Sequence, residues 1–188
     1  PKPSPAHTPL ATAGQQVSAF SRSEGPYSYP LAATLLSKRA FGLINSAWDT
    51  VESAAWAFCS SPVMFQDRVI IQADALNTAF VAILDLHSGK TIWKQDRDEI
   101  TNWCTPNIYF DDNKARVVVN GYKHRGAYDL LTGEEIWQMS GGGDNPLPTP
   151  IVWKDLIYFN SAHVSNAPLM AIKNRAHGEI PYPESEKS

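Results

Sequence analysis

Between residues 61 and 160 the apolar positions come in short runs, continuous or at a spacing of two, and no window keeps a helical stripe. "PVMF" (62–65), "VIIQA" (69–73), "FVAILDL" (80–86) and "KTIWK" (90–94) are separated by turn formers at Gln66-Asp67-Arg68, a polar loop, and His87-Ser88-Gly89. That series reads as four short strands joined by hairpins. "NIYF" (107–110), "RVVVN" (116–120), "RGAYDL" (125–130) and "EEIWQ" (134–138) repeat it, with breaks at Asp111-Asp112-Asn113, Tyr122-Lys123-His124 and Thr132-Gly133. The pattern predicts an all-β chain of antiparallel hairpins.

The series is also periodic. "DLHSGKTIW" at 85–93 returns as "DLLTGEEIW" at 129–137, 44 positions later, and Ser61-Pro62, Thr105-Pro106 and Thr149-Pro150 keep the same interval. Thr8-Pro9 lies 53 positions before Ser61-Pro62, and the excess fits an insertion around "NSAWDTVESAAW". Four copies starting near 8, 61, 105 and 149 therefore tile residues 8–180. Four strands per unit of about 44 residues is the plan of a β-propeller blade.

The repeated nonapeptide has a physical reading. Asp85 and Asp129 can accept hydrogen bonds from main-chain N–H groups two or three residues on, and Gly89 and Gly133 supply the positive φ that a short hairpin loop needs. Trp93 and Trp137 follow each glycine by four residues, on the outermost strand. There a large aromatic can bury its rings between neighbouring blades.

These residues carry a family resemblance. "AILDLHSGKTIW" and "AYDLLTGEEIW" resemble the tryptophan-docking motif of the pyrroloquinoline-quinone (PQQ)-like β-propeller repeat family, and the similarity extends over roughly residues 8 to 180. The resemblance implies a ring of seven or eight blades, of which about four are present. It also implies two departures. Copy one has lost the motif, with Pro30, Ala33 and Ser37 near the Asp, Gly and Trp positions, whereas copy four keeps Asn174 and Gly178 with Tyr182 in place of tryptophan. An incomplete ring exposes edge strands and inter-blade faces, so the remaining blades, from the same propeller or from a protein partner, are expected to cover them. With its polar, proline-rich ends at 1–7 and 181–188 and no initiating methionine, the chain reads as a fragment or processed product.

Composition narrows the function. The net charge is −3 with both signs interspersed, which argues against a nucleic-acid partner held through phosphates. No apolar run approaches a transmembrane segment. Cys59 and Cys104 both precede a Ser/Thr-Pro start; buried free thiols are the favoured reading, with a disulfide open if the chain is exported. His7, His87, His124, His163 and His177 fall in a tail or in predicted turns and loops with no paired metal spacing, so no metal site is assigned. Gly141-Gly142-Gly143 lacks the lysine and helix of a phosphate loop and reads as a blade connection. Asp96, Asp98 and Glu99 read as a solvated charged loop.

The connections leading into successive inner strands converge at one mouth of a propeller channel. There Trp56, Asn102, Trp103, Asp144 and Asn145 are the candidate binding rim, with inter-blade packing of the two tryptophans as the competing reading. No catalytic set is recognisable. The expected function is thus a non-catalytic scaffold or protein-binding module, periplasmic or extracellular in a bacterium, without a cofactor. The family also implies an alternative, a PQQ- and calcium-dependent quinoprotein dehydrogenase, whose calcium ligands and catalytic aspartate find no position here.

Overall fold

The computed structural model describes residues 10–13, 16–21, 25–30, 37–38, 60–75, 78–141, 146–161 and 168–182, the first four stretches as main chain only. Every regular element among the described residues is a strand. Four separate sheets follow one another along the chain. The first contains β1 (Leu10–Ala13), β2 (Gln16–Ser21), β3 (Gly25–Pro30) and β4 (Ser37–Lys38). The second contains β5 (Val63–Phe65), β6 (Arg68–Ala75), β7 (Thr78–Asp85) and β8 (Thr91–Asp96). The third contains β9 (Asn107–Asp111), β10 (Lys114–Val119), β11 (His124–Asp129) and β12 (Glu135–Ser140). Each is an antiparallel meander in sequence order, as the alternating pattern predicted.

The fourth sheet departs from that plan. β13 (Ile151–Trp153), β14 (Leu156–Asn160) and β15 (Leu169–Lys173) form a three-stranded meander. β16 (Gly178–Glu179) does not pair with β15; it adds in parallel to β12, placing Gly178 beside Trp137. The expected Asn174–Gly178 hairpin is therefore absent, although Gly178 keeps φ +71°. Asn174 N–H donates to Asp155 O at 2.9 Å and Ala176 N–H to Lys173 O at 3.1 Å within the fourth sheet, and beyond them Ile180 N–H donates to Gln138 O at 2.8 Å, holding the end of the segment on the third sheet. Ile180 and Tyr182 pack there, beside the Trp137 cluster.

Turn chemistry sets the register elsewhere. The β9–β10 hairpin has Asp112 and Asn113 both at positive φ, +44° and +64°, as a two-residue turn of right-handed twist requires. Asp85 and Asp129 close the loops between the third and fourth strands. Asp85 accepts from Ser88 N–H at 2.7 Å and Ser88 Oγ at 2.6 Å; Asp129 accepts from Leu131 N–H at 2.8 Å and Thr132 N–H at 2.9 Å. These bonds hold both carboxyls below the usual carboxylate range, against a raising effect of burial that is the largest single contribution at Asp129. Gly89 and Gly133, at φ +68° and +77°, complete the loops.

The sheets pack face to face through two described seams. Ile70, Val81, Ile83 and Trp93 of the second sheet meet Val117, Val119, Tyr128 and Leu130 of the third. Tyr109, Val118, Ala127, Trp137 and Met139 of the third meet Ile157, Phe159, Met170 and Ile172 of the fourth. The Trp93 indole lies on the third sheet's hairpin: Nε1–H donates to Leu130 O at 3.0 Å, and a Cβ built on Gly133 falls 2.7 Å from Trp93 Cδ2. Trp137, diverted from any such loop, instead donates to Tyr109 Oη at 3.2 Å and meets Phe159 edge-on at 5.9 Å between centroids.

Candidate functional site

The connections out of β8 and β12 run over the same end of the sheets as the hairpin between β10 and β11. At this end Asn102 and Trp103 are buried, 2% and 6% exposed. Trp56, Asp144 and Asn145, the other expected rim residues, lie outside the described residues. So does Cys59, while Cys104 is a buried free thiol, pushed up to about 12 chiefly by burial and so held protonated and unreactive.

A buried polar network occupies this end, and it includes Glu99, expected on a solvated loop with Asp96 and Asp98, whose side chains are 82% and 88% exposed. Asp74 accepts from Gln72 Nε2 at 2.7 Å, Asn102 Nδ2 at 2.7 Å and Arg97 Nε at 3.0 Å. Arg97 extends to His124 O at 2.8 Å and Asn120 O at 3.4 Å on the third sheet. Both partners of the Asp74–Arg97 pair have side chains of 0% exposure. Burial works against the guanidinium charge, but Asp74, Tyr128 and Glu99 more than offset it and raise its pKa. A buried pair of this kind holds its geometry because either charge left alone would be strongly unfavourable.

Glu99 is the second surprise. It is 7% exposed and accepts from the N–H groups of Ile100 at 2.8 Å, Lys123 at 3.1 Å and His124 at 3.0 Å, tying the β8–β9 connection to the β10–β11 hairpin. Burial, then the Asp74 charge, push its carboxyl above the usual range, while Arg97 and the amides pull it back. Gly121 makes room for this contact: a Cβ there would sit 2.2 Å from Glu99 Oε2 and 2.4 Å from His124 O. His124 itself lies on β11, bonded to Glu135 at 2.6 Å, rather than in a solvated turn.

Beyond Arg97, an amide relay crosses from sheet to sheet. Val63↔Ile70, Asn107↔Val118 and Ile151↔Tyr158 are equivalent pairs of the first two strands, so Gln72, Asn120 and Asn160 occupy one position two residues further on. Gln72 Nε2 donates to Asn120 O at 2.7 Å; Asn120 Nδ2 donates to Asn160 O at 3.1 Å and Pro148 O at 3.1 Å. The amides are 48 and 40 residues apart because the hairpins differ in length, so they fall outside the 44-residue interval of the repeat. Position 44 shows instead at the inner strands, where Ser61 N–H donates to Thr105 Oγ1 at 3.0 Å.

What remains accessible at this end is shallow. Asp98, Tyr122, Lys123, Ser140 and Gly141 line an open cleft of about 360 Å³ directly over the network, with Lys123 Nζ 2.9 Å from Asp98 Oδ1. Asp98 and Lys123 side chains are 88% and 44% exposed.

No protein-family model matches the chain, and no curated protein matches it in sequence. Among solved structures it is similar to BamB from Moraxella catarrhalis, at 16% identity with a TM-score of 0.63, over 89% of this chain and 49% of that one. It is also similar to a europium-containing methanol dehydrogenase, at 19% identity with a TM-score of 0.50, over 72% of this chain and 24% of that one. The chain thus spans about half the length of BamB. Identities this low speak to architecture alone. Successive antiparallel sheets, stacked face to face through repeated seams, are the blades of a β-propeller, and this chain is a partial one of about four blades.

Proposed function

We propose that the chain is part of a non-catalytic, PQQ-like β-propeller that works as a protein-binding scaffold in an extracytoplasmic bacterial assembly. The observation that carries this reading is the buried network. Asp74, Arg97, Glu99 and Asn102, the side chains with the chemistry for acid–base or metal work at this end, are bonded to one another and to main chain across the seam. They fix the loop end rigidly. The cleft over it, with exposed Asp98 and Lys123 beside Tyr122, suits a polar protein surface. The Trp93 indole on Gly133 is read as the docking contact of PQQ-like repeats, and the likeness to BamB supports the same family.

The fold likeness to a methanol dehydrogenase motivates one competing test. Added PQQ with calcium should leave the melting temperature unchanged and support no dye-linked alcohol oxidation. A photo-crosslinking residue placed at Lys123 should give discrete protein adducts in a bacterial envelope extract, and one placed at Lys114 should give none. A thermal shift of several degrees with PQQ and calcium, or equal labelling from both positions, would overturn the scaffold reading.

A further inference from the structure

The loop that leaves the third strand is closed by a carboxylate in the second and third sheets, and by none in the fourth. Strand register makes Asp85, Asp129 and Lys173 equivalent, because they pair with Arg68, Arg116 and Leu156, each two residues before the matched positions Ile70, Val118 and Tyr158. The next residue of each strand agrees: Leu86, Leu130 and Asn174 N–H donate to Asp67 O, Ala115 O and Asp155 O at 2.9, 3.1 and 2.9 Å. A lysine thus stands where the other two loops hold aspartate, one residue before the Asn174 that the sequence pattern places there. The exchange leaves a donor without its acceptor. Asp129 Oδ1 takes the N–H groups two and three residues on, those of Leu131 and Thr132, and Asp85 Oδ1 takes that of Ser88. The corresponding groups in the fourth sheet are Arg175 and Ala176 N–H. Ala176 N–H turns back to Lys173 O at 3.1 Å, and Arg175 N–H bonds to no group among the described residues.

An open cleft of about 420 Å³ lies at this loop, lined by Lys154, Asp155, Lys173, Asn174 and Arg175, three cations to one carboxylate. Lys154 Nζ sits 4.2 Å from the centre of the Trp153 ring. Arg175 gives Nη2 to Asp112 at 3.0 Å and keeps its side chain 71% exposed. Asn174 Oδ1 is buried with no partner, and a half-turn of that amide puts the Nδ2 donors in its place. We infer that this cleft binds the carboxylate group of a ligand, seated where Asp85 and Asp129 place their own. Arg175 N–H and the Lys173 ammonium are the direct donors, and Lys154 adds a second charge; main-chain amides beside cations make anion-binding concavities of this kind. Preference for a carboxylate follows from the two filled loops, whose amides already hold one. A free tricarboxylate and an acidic side chain of a peptide share that chemistry. The cleft lies at the opposite end of the sheets from the Asp98–Lys123 cleft and stands independently of the scaffold reading.

The test is a titration of the nitrogen-labelled 188-residue chain with citrate, with a capped tetraglutamate peptide, with inorganic phosphate and with sodium chloride, all at one ionic strength, read from the amide resonances. Saturable shifts of the Arg175 and Ala176 amides with citrate, with the peptide or with both are expected, and the one that acts identifies the source. Lys173→Met should weaken saturation by about fivefold, the upper range for an exposed charge pair. Lys173→Asp gives the loop its own carboxylate, as at Asp85 and Asp129. It should abolish the response and move the Arg175 amide resonance in the direction that citrate moves it in the unmodified chain. Should Lys173→Asp fold poorly, Lys173→Met decides. No shift at Arg175, an equal shift in chloride, a response confined to phosphate, or variants that titrate as the unmodified chain does would overturn the inference.

Discussion

Replacing Gly133 with alanine isolates the contact on which the seam between the second and third blades rests. Two costs are expected. The residue has φ +77°, in the left-handed region, where an L side chain costs about 1–2 kcal/mol. The added methyl would also lie 2.7 Å from Trp93 Cδ2 and 3.0 Å from Cγ, far inside contact distance, so the indole must move. Moving it breaks the Nε1–H bond to Leu130 O and exposes rings now 9% accessible. Losing a buried large aromatic altogether costs about 3–5 kcal/mol, and partial displacement roughly half of that. The sum is about 3–4 kcal/mol. Gly178 provides the internal control, because it has nearly the same φ, +71°, and a Cβ there meets nothing within 4 Å. Gly178→Ala should therefore cost only the backbone part, about 1–2 kcal/mol. Urea denaturation followed by circular dichroism should separate the variants by about 1 M in midpoint at an ordinary urea dependence of 1–3 kcal/mol per molar. The Trp93 indole N–H resonance should shift in Gly133→Ala alone. Equal midpoints for the two variants would show that the indole contact contributes nothing, and the account of the seam would fail.

The buried network supplies three more predictions. Arg97→Met leaves Asp74 buried without its cation and should destabilise by about 3–5 kcal/mol, with Asp74→Asn in the same chain recovering part of the loss in a double-mutant cycle. Gln72→Leu removes donors to Asp74 and to Asn120 O and should cost about 1–3 kcal/mol in the same denaturation assay, since both acceptors stay buried. Glu99 titrates above its ordinary value in the folded chain, so its folded form holds the proton more tightly than the unfolded form. The stability linked to it is present below the unfolded value near 4.5 and declines as pH rises through the folded one. Glu99→Gln should flatten that decline in melting temperature above pH 4.5; an unchanged pH profile would remove Glu99 from the account.

The blade pattern was legible because its causes are local. Alternation of side chains along strands, turn formers at 66–68 and 111–113, and the Asp-to-Gly loops at 85–89 and 129–133 act within a few residues, so the sequence by itself determined the strands and the repeat. The fourth copy escaped this logic. Asn174 and Gly178 are suitable turn residues, yet pairing with β12 and the Ile180 N–H bond to Gln138 O, made only after the sheets have stacked, hold β16 on another blade. Tertiary structure likewise decided the site. Arg97 and Glu99 sit in a polar stretch, "QDRDEI", whose composition reads as solvent-facing, and only the approach of Asp74, Gly121 and the amides of residues 123 and 124 makes burial of those charges tolerable. The amide relay was hidden for a related reason: its members meet through strand register, while hairpins of unequal length shift their spacing along the chain. Short-range geometry was written in the sequence; compensation of buried charge, which depends on partners brought from distant segments, was settled only in three dimensions.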